Sequence, residues 1–313
     1  MAKALKIGIC GSTISEENIK GKKLGFEIDC LLEESEKYFD KTILIDATQV
    51  IHHFDQQESK PHMIYNSDNL NDLNVCIFRE ISGAEEPIAL LAGTLAYCGC
   101  DILDPPERFT GAPSGKMFDS LKGFKSKIMP ATIFAFNEKS ATLALKMAAA
   151  NKMFPLILKP GRGKRGENVA LVHSCDDGII YISDFYHANP VGALVLQKYI
   201  EIADEYRGMV LGGRCLGLVK KIAAEGKVAR NAMQGGTFLS ANDADTEAFI
   251  EKHANKKGLV GVDVVRDKNG IFHYIESNRS PQWKFFQAAT GINVAGKLLE
   301  YAVEKLNNSS VLF

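Results

Sequence analysis

Residues 258–281, GLVGVDVVRDKNGIFHYIESNRSP, constrain this chain more than any other stretch. Two apolar runs flank Asn269-Gly270, the dipeptide that best tolerates the positive φ angles of a two-residue hairpin loop, so the stretch reads as two antiparallel strands. If Lys268 pairs with Ile271, counting back along both strands sets Asp263 opposite Glu276, with Asn278 two residues on and pointing to the same face. Like charges directly opposite each other destabilise a sheet unless positive charge lies between them. A hard cation suits that place. Oxygen donors, few and led by carboxylates, suit magnesium, which completes its shell with water and nucleotide phosphates. The alternative is a solvated acidic hairpin whose carboxylates rotate apart.

At 313 residues the chain has room for two or three lobes of roughly 150 residues or less. A formal net charge of -1 argues against a polyanion-binding surface, so no nucleic-acid partner is expected, although a local basic pocket is compatible with it. No apolar run approaches the roughly 18 residues of a membrane span, and MAKALKIGICGS enters a strand too soon for a signal peptide. A cytoplasmic protein with no membrane partner is expected. The cysteines (Cys10, Cys30, Cys76, Cys98, Cys100, Cys175, Cys215) sit mostly within apolar runs, which suits reduced, buried thiols. Cys98 and Cys100 lack the two-residue spacer of a zinc or redox pair.

Taken in order, residues 6–10 form an apolar strand ending in Gly11-Ser12-Thr13, followed by a charged amphipathic stretch and a second strand at 42–46. Strand, helix, strand opens a parallel α/β lobe, and its glycines fall short of a dinucleotide fingerprint. Residues 50–74 are polar and read as a long loop or an excursion, with His52, His53 and His62 scattered at no ligand spacing. Residues 75–78 make another buried strand with Arg79 at its carboxyl end, where open α/β sheets meet ligands. Arg79 is therefore a candidate anion contact, or else the partner of Glu80 or Glu85. A helix at 87–99 follows. Pro105-Pro106 and the run Gly111-Ala112-Pro113-Ser114-Gly115 mark a linker and a domain boundary near 110. Lys116 opens a helix at 117–124, a strand covers 133–136, and Asn137 is placed to cap a helix over 138–151.

Residues 154–172 then read as strand, glycine-rich basic loop, strand. GxxxxGK followed by Ser or Thr is absent, so this is no Walker loop; a glycine hairpin between strands can still fold over phosphates with its backbone N–H groups. Lys159 ends the apolar strand rather than sitting in the loop, and a cation there asks for an anion. Residues 193–201 form a strand that runs into the acidic pair Asp204-Glu205, then Arg207 and strands at 208–212 and 216–222. The second of these carries Lys220 and Lys221. A polar loop, 224–236, holds Arg230 and Asn231; helices at 243–258 and 290–306 flank the hairpin.

In this order the pieces resemble the ATP-grasp superfamily, and within it the RimK-like carboxylate–amine ligases. The resemblance runs from about Val75 to Tyr301 and is carried by GKMFDSLKGF, LILKPGRGKRGENVALV, LQKYIE and GVDVVRD…YIESNRSP…ATGINVAGK. It implies an α/β chain, α+β in its catalytic lobes: an N-terminal parallel α/β pre-ATP-grasp domain (1–110), a central ATP-grasp subdomain with a glycine-rich lid (111–193) and a C-terminal subdomain with the metal hairpin (194–313).

By the same resemblance Lys116 and Lys159 contact the nucleotide phosphates, and Gly163, Arg165 and Gly166 belong to the lid. The backbone of Gln197, Lys198, Tyr199 and Ile200 meets adenine, and Glu205 meets the ribose. Asp263, Glu276 and Asn278 hold magnesium, with manganese as a substitute. Lys221, Arg230 and Asn231 steady the reacting carboxylate and acyl phosphate; a solvated basic loop is the other reading, and either Lys221 or Arg230 takes the arginine's role. Arg79, Arg207, Arg279 and Ser280 are candidate substrate contacts. Lys198 replaces the usual hinge glutamate, and Gln282-Trp283-Lys284 replaces glycine after the Asn-x-Ser-Pro run, which is expected to alter the acceptor side of the pocket.

The implied reaction uses ATP to activate a carboxylate as an acyl phosphate, which an amine of an amino acid or peptide then attacks. The rival readings are a small-molecule kinase and a nucleotide-binding regulatory protein without turnover. A homo-oligomer is compatible with the sequence.

Overall fold

The computed structural model describes residues 4–21, 24–79, 83–104, 115–161, 168–223 and 236–309; the linker expected at 105–114 lies outside them. The N-terminal part comprises β1 (Lys6–Gly11), α1 (Glu16–Lys20), α2 (Phe26–Ser35), β2 (Lys41–Ile45), β3 (Ile51–His53), β4 (His62–Tyr65), β5 (Asp68–Asn69), β6 (Val75–Arg79), α3 (Glu85–Tyr97) and β7 (Asp101–Ile102). Strands β2-β1-β6-β7 form a wholly parallel sheet, as the strand–helix–strand reading predicts. Side-chain alternation splits β1 and β6 between two cores: Ile7, Ile9, Val75 and Ile77 face one, while Cys10, Cys76 and Phe78 face the other.

Residues 50–74 are an excursion with its own strands rather than a long loop. They form a small antiparallel sheet, β3-β4-β5, against which Met63, Tyr65 and Leu70 are buried. The turn between β4 and β5 is Asn66-Ser67, both with positive φ (46° and 72°), flanked by the pair Tyr65 and Asp68. Two consecutive left-handed residues make the turn that suits a two-residue hairpin, but Asn-Ser is a weaker signal for it than Asn-Gly.

The middle of the chain contains α4 (Gly115–Ser126), β8 (Thr132–Ala135), α5 (Glu138–Ala150), β9 (Leu156–Pro160), β10 (Ala170–Val172), α6 (Cys175–Ala188) and β11 (Leu194–Lys198). Strands β10-β9-β11-β8 are antiparallel throughout. Asn137 caps α5 as expected, in a reciprocal capping box with Ser140. The cysteines are all free thiols, and Cys10, Cys76, Cys98 and Cys100 are buried.

The C-terminal part runs β12 (Ile202–Leu211), β13 (Arg214–Ile222), β14 (Thr237–Ala241), α7 (Ala244–His253), β15 (Leu259–Asp267), β16 (Phe272–Asn278), α8 (Lys284–Thr290) and α9 (Val294–Ser309). Its antiparallel sheet has the order β14-β13-β12-β15-β16. The acidic segment at 204–205 belongs to β12, which is longer than its apolar half suggested; this puts Glu205 and Arg207 on one face with Met209 and Leu211. The closing helix expected at 290–306 is α9, and a short helix before it, α8, ends where Gly291 (φ 72°) caps it in the left-handed region. Helix α4 packs on β16 rather than keeping to the central sheet.

One core joins the two ends of the chain. Ile7, Ile9 and Leu31 of the parallel sheet and its helix pack with Met209, Val219, Leu259, Trp283 and Leu298. Trp283 is fully buried: its backbone N–H donates to Glu27 at 3.0 Å, and the Arg79 guanidinium lies 5.3 Å over its ring. The Gln282-Trp283-Lys284 run thus turns its tryptophan inward as a latch between lobes. Replacing Trp283 by Ala should cost about 3–5 kcal/mol in denaturant unfolding. A loss below about 1 kcal/mol would show that the two lobes do not depend on this contact.

Candidate active site

The hairpin expected at 258–281 forms, but by a different route. Asp267 N–H donates to Ile271 O at 3.0 Å around a three-residue loop in which Gly270 (φ 81°), and not Asn269, takes the left-handed conformation. Pairing with that offset (Val264 with Tyr274) would set Asp263 against Ile275. A β-bulge between Asp263 and Val264 absorbs the extra residue, so Asp263 pairs with Glu276 and Gly261 with Asn278 after all. Tyr274 stays in the core beneath the sheet while Glu276 emerges on the face of Asp263.

On that face the sheet gathers charge. Arg207 pairs in register with Asp263 and donates Nε and Nη2 to its two oxygens, each at 2.7 Å. Lys221, 3% exposed on β13, donates to Asp263 Oδ2 at 3.0 Å and pairs with Glu205 at 2.5 Å. Phe238 lies beside Lys221 on β14, under the Arg207 guanidinium at 6.0 Å.

Burial alone would raise the Asp263 carboxyl, but Arg207 and Lys221 overcome it and hold it well below the usual carboxylate range. Burial likewise opposes the charge on Lys221, and Asp263 with Glu205 outweighs it. Asp263, Arg207 and Lys221 are therefore ionised at neutral pH.

The donor set fits a hard divalent cation. Asp263 offers about four lone-pair positions and spends three on Arg207 and Lys221, leaving one on Oδ1. Among the described residues no hydrogen bond or ion pair engages Glu276, which is half-buried. Asn278 is exposed, and its Oδ1 accepts one hydrogen bond, from Ser280 N–H at 2.9 Å, leaving a second lone pair. Glu205 is tied through Lys221 to Asp263.

In the central sheet Lys159 Nζ donates to Gln197 Oε1 at 3.0 Å, and Gln197 Nε2 to Thr132 at 2.9 Å. The amides of Lys198 and Tyr199 are used by the fold, bonding Ala131 O and Pro155 O; among the described residues no backbone hydrogen bond engages the Ile200 amide. Arg79 stands apart. It is buried under Trp283, with Asp104 at 3.6 Å. Arg279 follows Asn278 at the end of β16. Lys116 lies in the first turn of α4, while Gly163, Arg165, Gly166, Arg230 and Asn231 fall outside the described residues. Spacing did not reveal Asp119, which accepts the Ser277 N–H, between Glu276 and Asn278, at 2.6 Å across 158 positions.

Three parts in this order, with the paired carboxylates on the last sheet, define an ATP-grasp fold. Residues 124–302 match the RimK-like ATP-grasp domain, and the chain belongs to that family. A protein of Legionella pneumophila (strain Corby) named probable alpha-L-glutamate ligase is 32% identical over 184 residues, covering 56% of this chain and 58% of that one. The chain thus spans under three-fifths of the length of such curated relatives. Among solved structures, the ATP-grasp ligase PsnB with its minimal precursor, Mg and ADP is similar at a TM-score of 0.68 and 12% identity, over 96% of this chain and 98% of that one. D-alanyl-alanine synthetase A of Vibrio cholerae gives 0.65 at 15% identity, over 98% and 100%. No helix among the described residues is long and apolar enough to cross a membrane.

Lys221→Met leaves Asp263 and Glu205 buried without their shared cation and should cost about 3 kcal/mol in urea unfolding. The neighbouring Lys220→Met, at a half-exposed pair, should stay within about 0.5 kcal/mol. Because the folded Asp263 carboxyl titrates below its unfolded value, its contribution is complete above about pH 4 and is lost as pH falls toward the folded value. Lys221→Met should therefore raise the pH of acid unfolding; an unchanged acid midpoint would contradict the network.

Proposed function

We propose that the chain is an ATP- and magnesium-dependent ligase that joins a carboxylate to an amine, on amino acid or peptide substrates, releasing ADP and phosphate. The observation that carries the reading is the single sheet face on which Asp263, Glu276 and Asn278 offer oxygen donors beside the buried cations Arg207 and Lys221. Family membership and the names of the relatives, alpha-L-glutamate ligases, support it and make glutamate the first amino acid to try in either role.

A substrate carboxylate oxygen attacks the γ-phosphorus, the bond to the bridging oxygen of ADP breaks, and the carboxylate becomes an acyl phosphate. An amine then attacks the carbonyl carbon, phosphate leaves, and the amine's proton passes to solvent or to the departing phosphate. Asp263, Glu276 and Asn278 would hold magnesium, or manganese in its place, which would supply positive charge to the phosphate oxygens. Lys159, held by Gln197 at the end of β9, points its charge to the same phosphates. In this reading the Ile200 amide, which no backbone hydrogen bond engages among the described residues, meets the adenine edge. Arg207 and Lys221, already ionised, stabilise the anionic groups that appear during transfer, so rate comes from position and charge rather than from a covalent nucleophile. We place this reaction in the cytoplasm, in keeping with seven free thiols.

Phosphorus NMR of the protein with ATP, magnesium and pooled amino acids and peptides tests the proposal. ADP and inorganic phosphate should form only when both an acid and an amine are present. Glu276→Gln should lower the rate by about 100-fold or more. Unchanged ADP formation in that variant removes the metal assignment, a stable phosphorylated product makes the protein a kinase, and AMP with pyrophosphate contradicts the chemistry.

A further inference from the structure

Strand β16 is an edge strand, yet it carries two of the three oxygen donors assigned above to the cation. An edge strand has one row of unpaired backbone groups and is the least constrained place in a sheet for a ligand set. Here that row is engaged. Tyr274 N–H donates to Ile128 O at 2.8 Å, and Ser277 N–H to Asp119 Oδ2 at 2.6 Å. Amides three residues apart in a regular strand point to opposite edges; the bulge residue Ile275 brings both to the outer one.

Asp119 is 4% exposed. Besides the amide it accepts the Ser277 hydroxyl, at 2.8 and 2.9 Å to its two oxygens. Burying a carboxylate is costly unless hydrogen bonds repay it, and Asp119 obtains all three of these from one residue. That residue stands between Glu276 and Asn278. The helix bearing Asp119 also carries Lys116 one turn earlier, so the same contact fixes α4 against the metal strand.

We propose that Asp119 is a positioning residue for the metal site: by clamping the Ser277 amide and hydroxyl it sets where Glu276 and Asn278 stand about the cation, and thereby the protein's affinity for it. The proposal rests on the reading of Asp263, Glu276 and Asn278 as metal ligands. Outer partners of this kind typically govern metal affinity by 10–100-fold.

The test is Mn(II) binding to the full chain in the presence of ADP, followed by electron paramagnetic resonance, with thermal unfolding recorded for every variant. Asp119→Ala should weaken Mn(II) binding about tenfold or more while the protein is still folded. Asp119→Asn keeps an oxygen for the Ser277 amide and an NH2 for its hydroxyl, and should bind close to wild type. Ser277→Ala removes the hydroxyl alone and should fall between the two; it carries the test if Asp119→Ala does not fold. Wild-type affinity in Asp119→Ala, or in Ser277→Ala where that variant stands in, overturns the proposal. So does a loss in Asp119→Asn as large as in Asp119→Ala. Glu276→Gln separates the two levels: if it binds Mn(II) as tightly as wild type, the metal site itself is misassigned and the clamp falls with it.

Discussion

Two carboxylates directly across an antiparallel pair repel each other, and the C-terminal sheet is built around that repulsion. Asp263 is buried, and burial makes an uncompensated charge more costly still. Arg207 answers it from the paired position on β12, and Lys221 reaches it from β13 while also holding Glu205. Four charged groups on three adjacent strands therefore share one face. The other half of that face, Met209, Leu211, Val219 and Leu259, is apolar and packs on the N-terminal sheet and α9. The fold uses one end of the surface for adhesion and leaves the other for chemistry.

Register is what keeps these charges on the same side. The hairpin loop is one residue longer than Asn-Gly suggests, and the bulge at Ile275 adds one residue to the opposite strand. The two offsets cancel at Asp263 and Glu276. Without the bulge, Glu276 would share a face with Tyr274, whose ring belongs to the core with Val262 and Val264. The bulge also turns two backbone amides outward, where α4 and Ile128 take them up.

The opposition of Asp263 and Glu276 was legible because side chains alternate with a period of two and a glycine marks the turn, although the route to that pairing was not. The parallel N-terminal sheet and the Asn137 cap were legible for similar local reasons. Residues 50–74 were not, since their hairpin turns on Asn66-Ser67 and the apolar side chains are sparse among polar ones. Helix α6 opens on Ser174 with Asp177 three residues on, a local capping signal that the polar stretch around it obscures. Contacts such as Asp119 with Ser277 and Trp283 with Glu27 depend on how the lobes meet. Spacing along a chain carries no record of a partner 158 or 256 residues away.

The functional reading stands on an acyl phosphate, since a metal-bound nucleotide beside paired cations serves phosphoryl transfer to any oxygen nucleophile. Isotope transfer addresses this directly: a substrate acid carrying ¹⁸O in its carboxylate is turned over with ATP and an amine, and the released phosphate is analysed by mass. The account predicts one ¹⁸O atom in each phosphate, delivered when the amine displaces it from the carbonyl carbon. Phosphate free of label, or label in AMP, would contradict it.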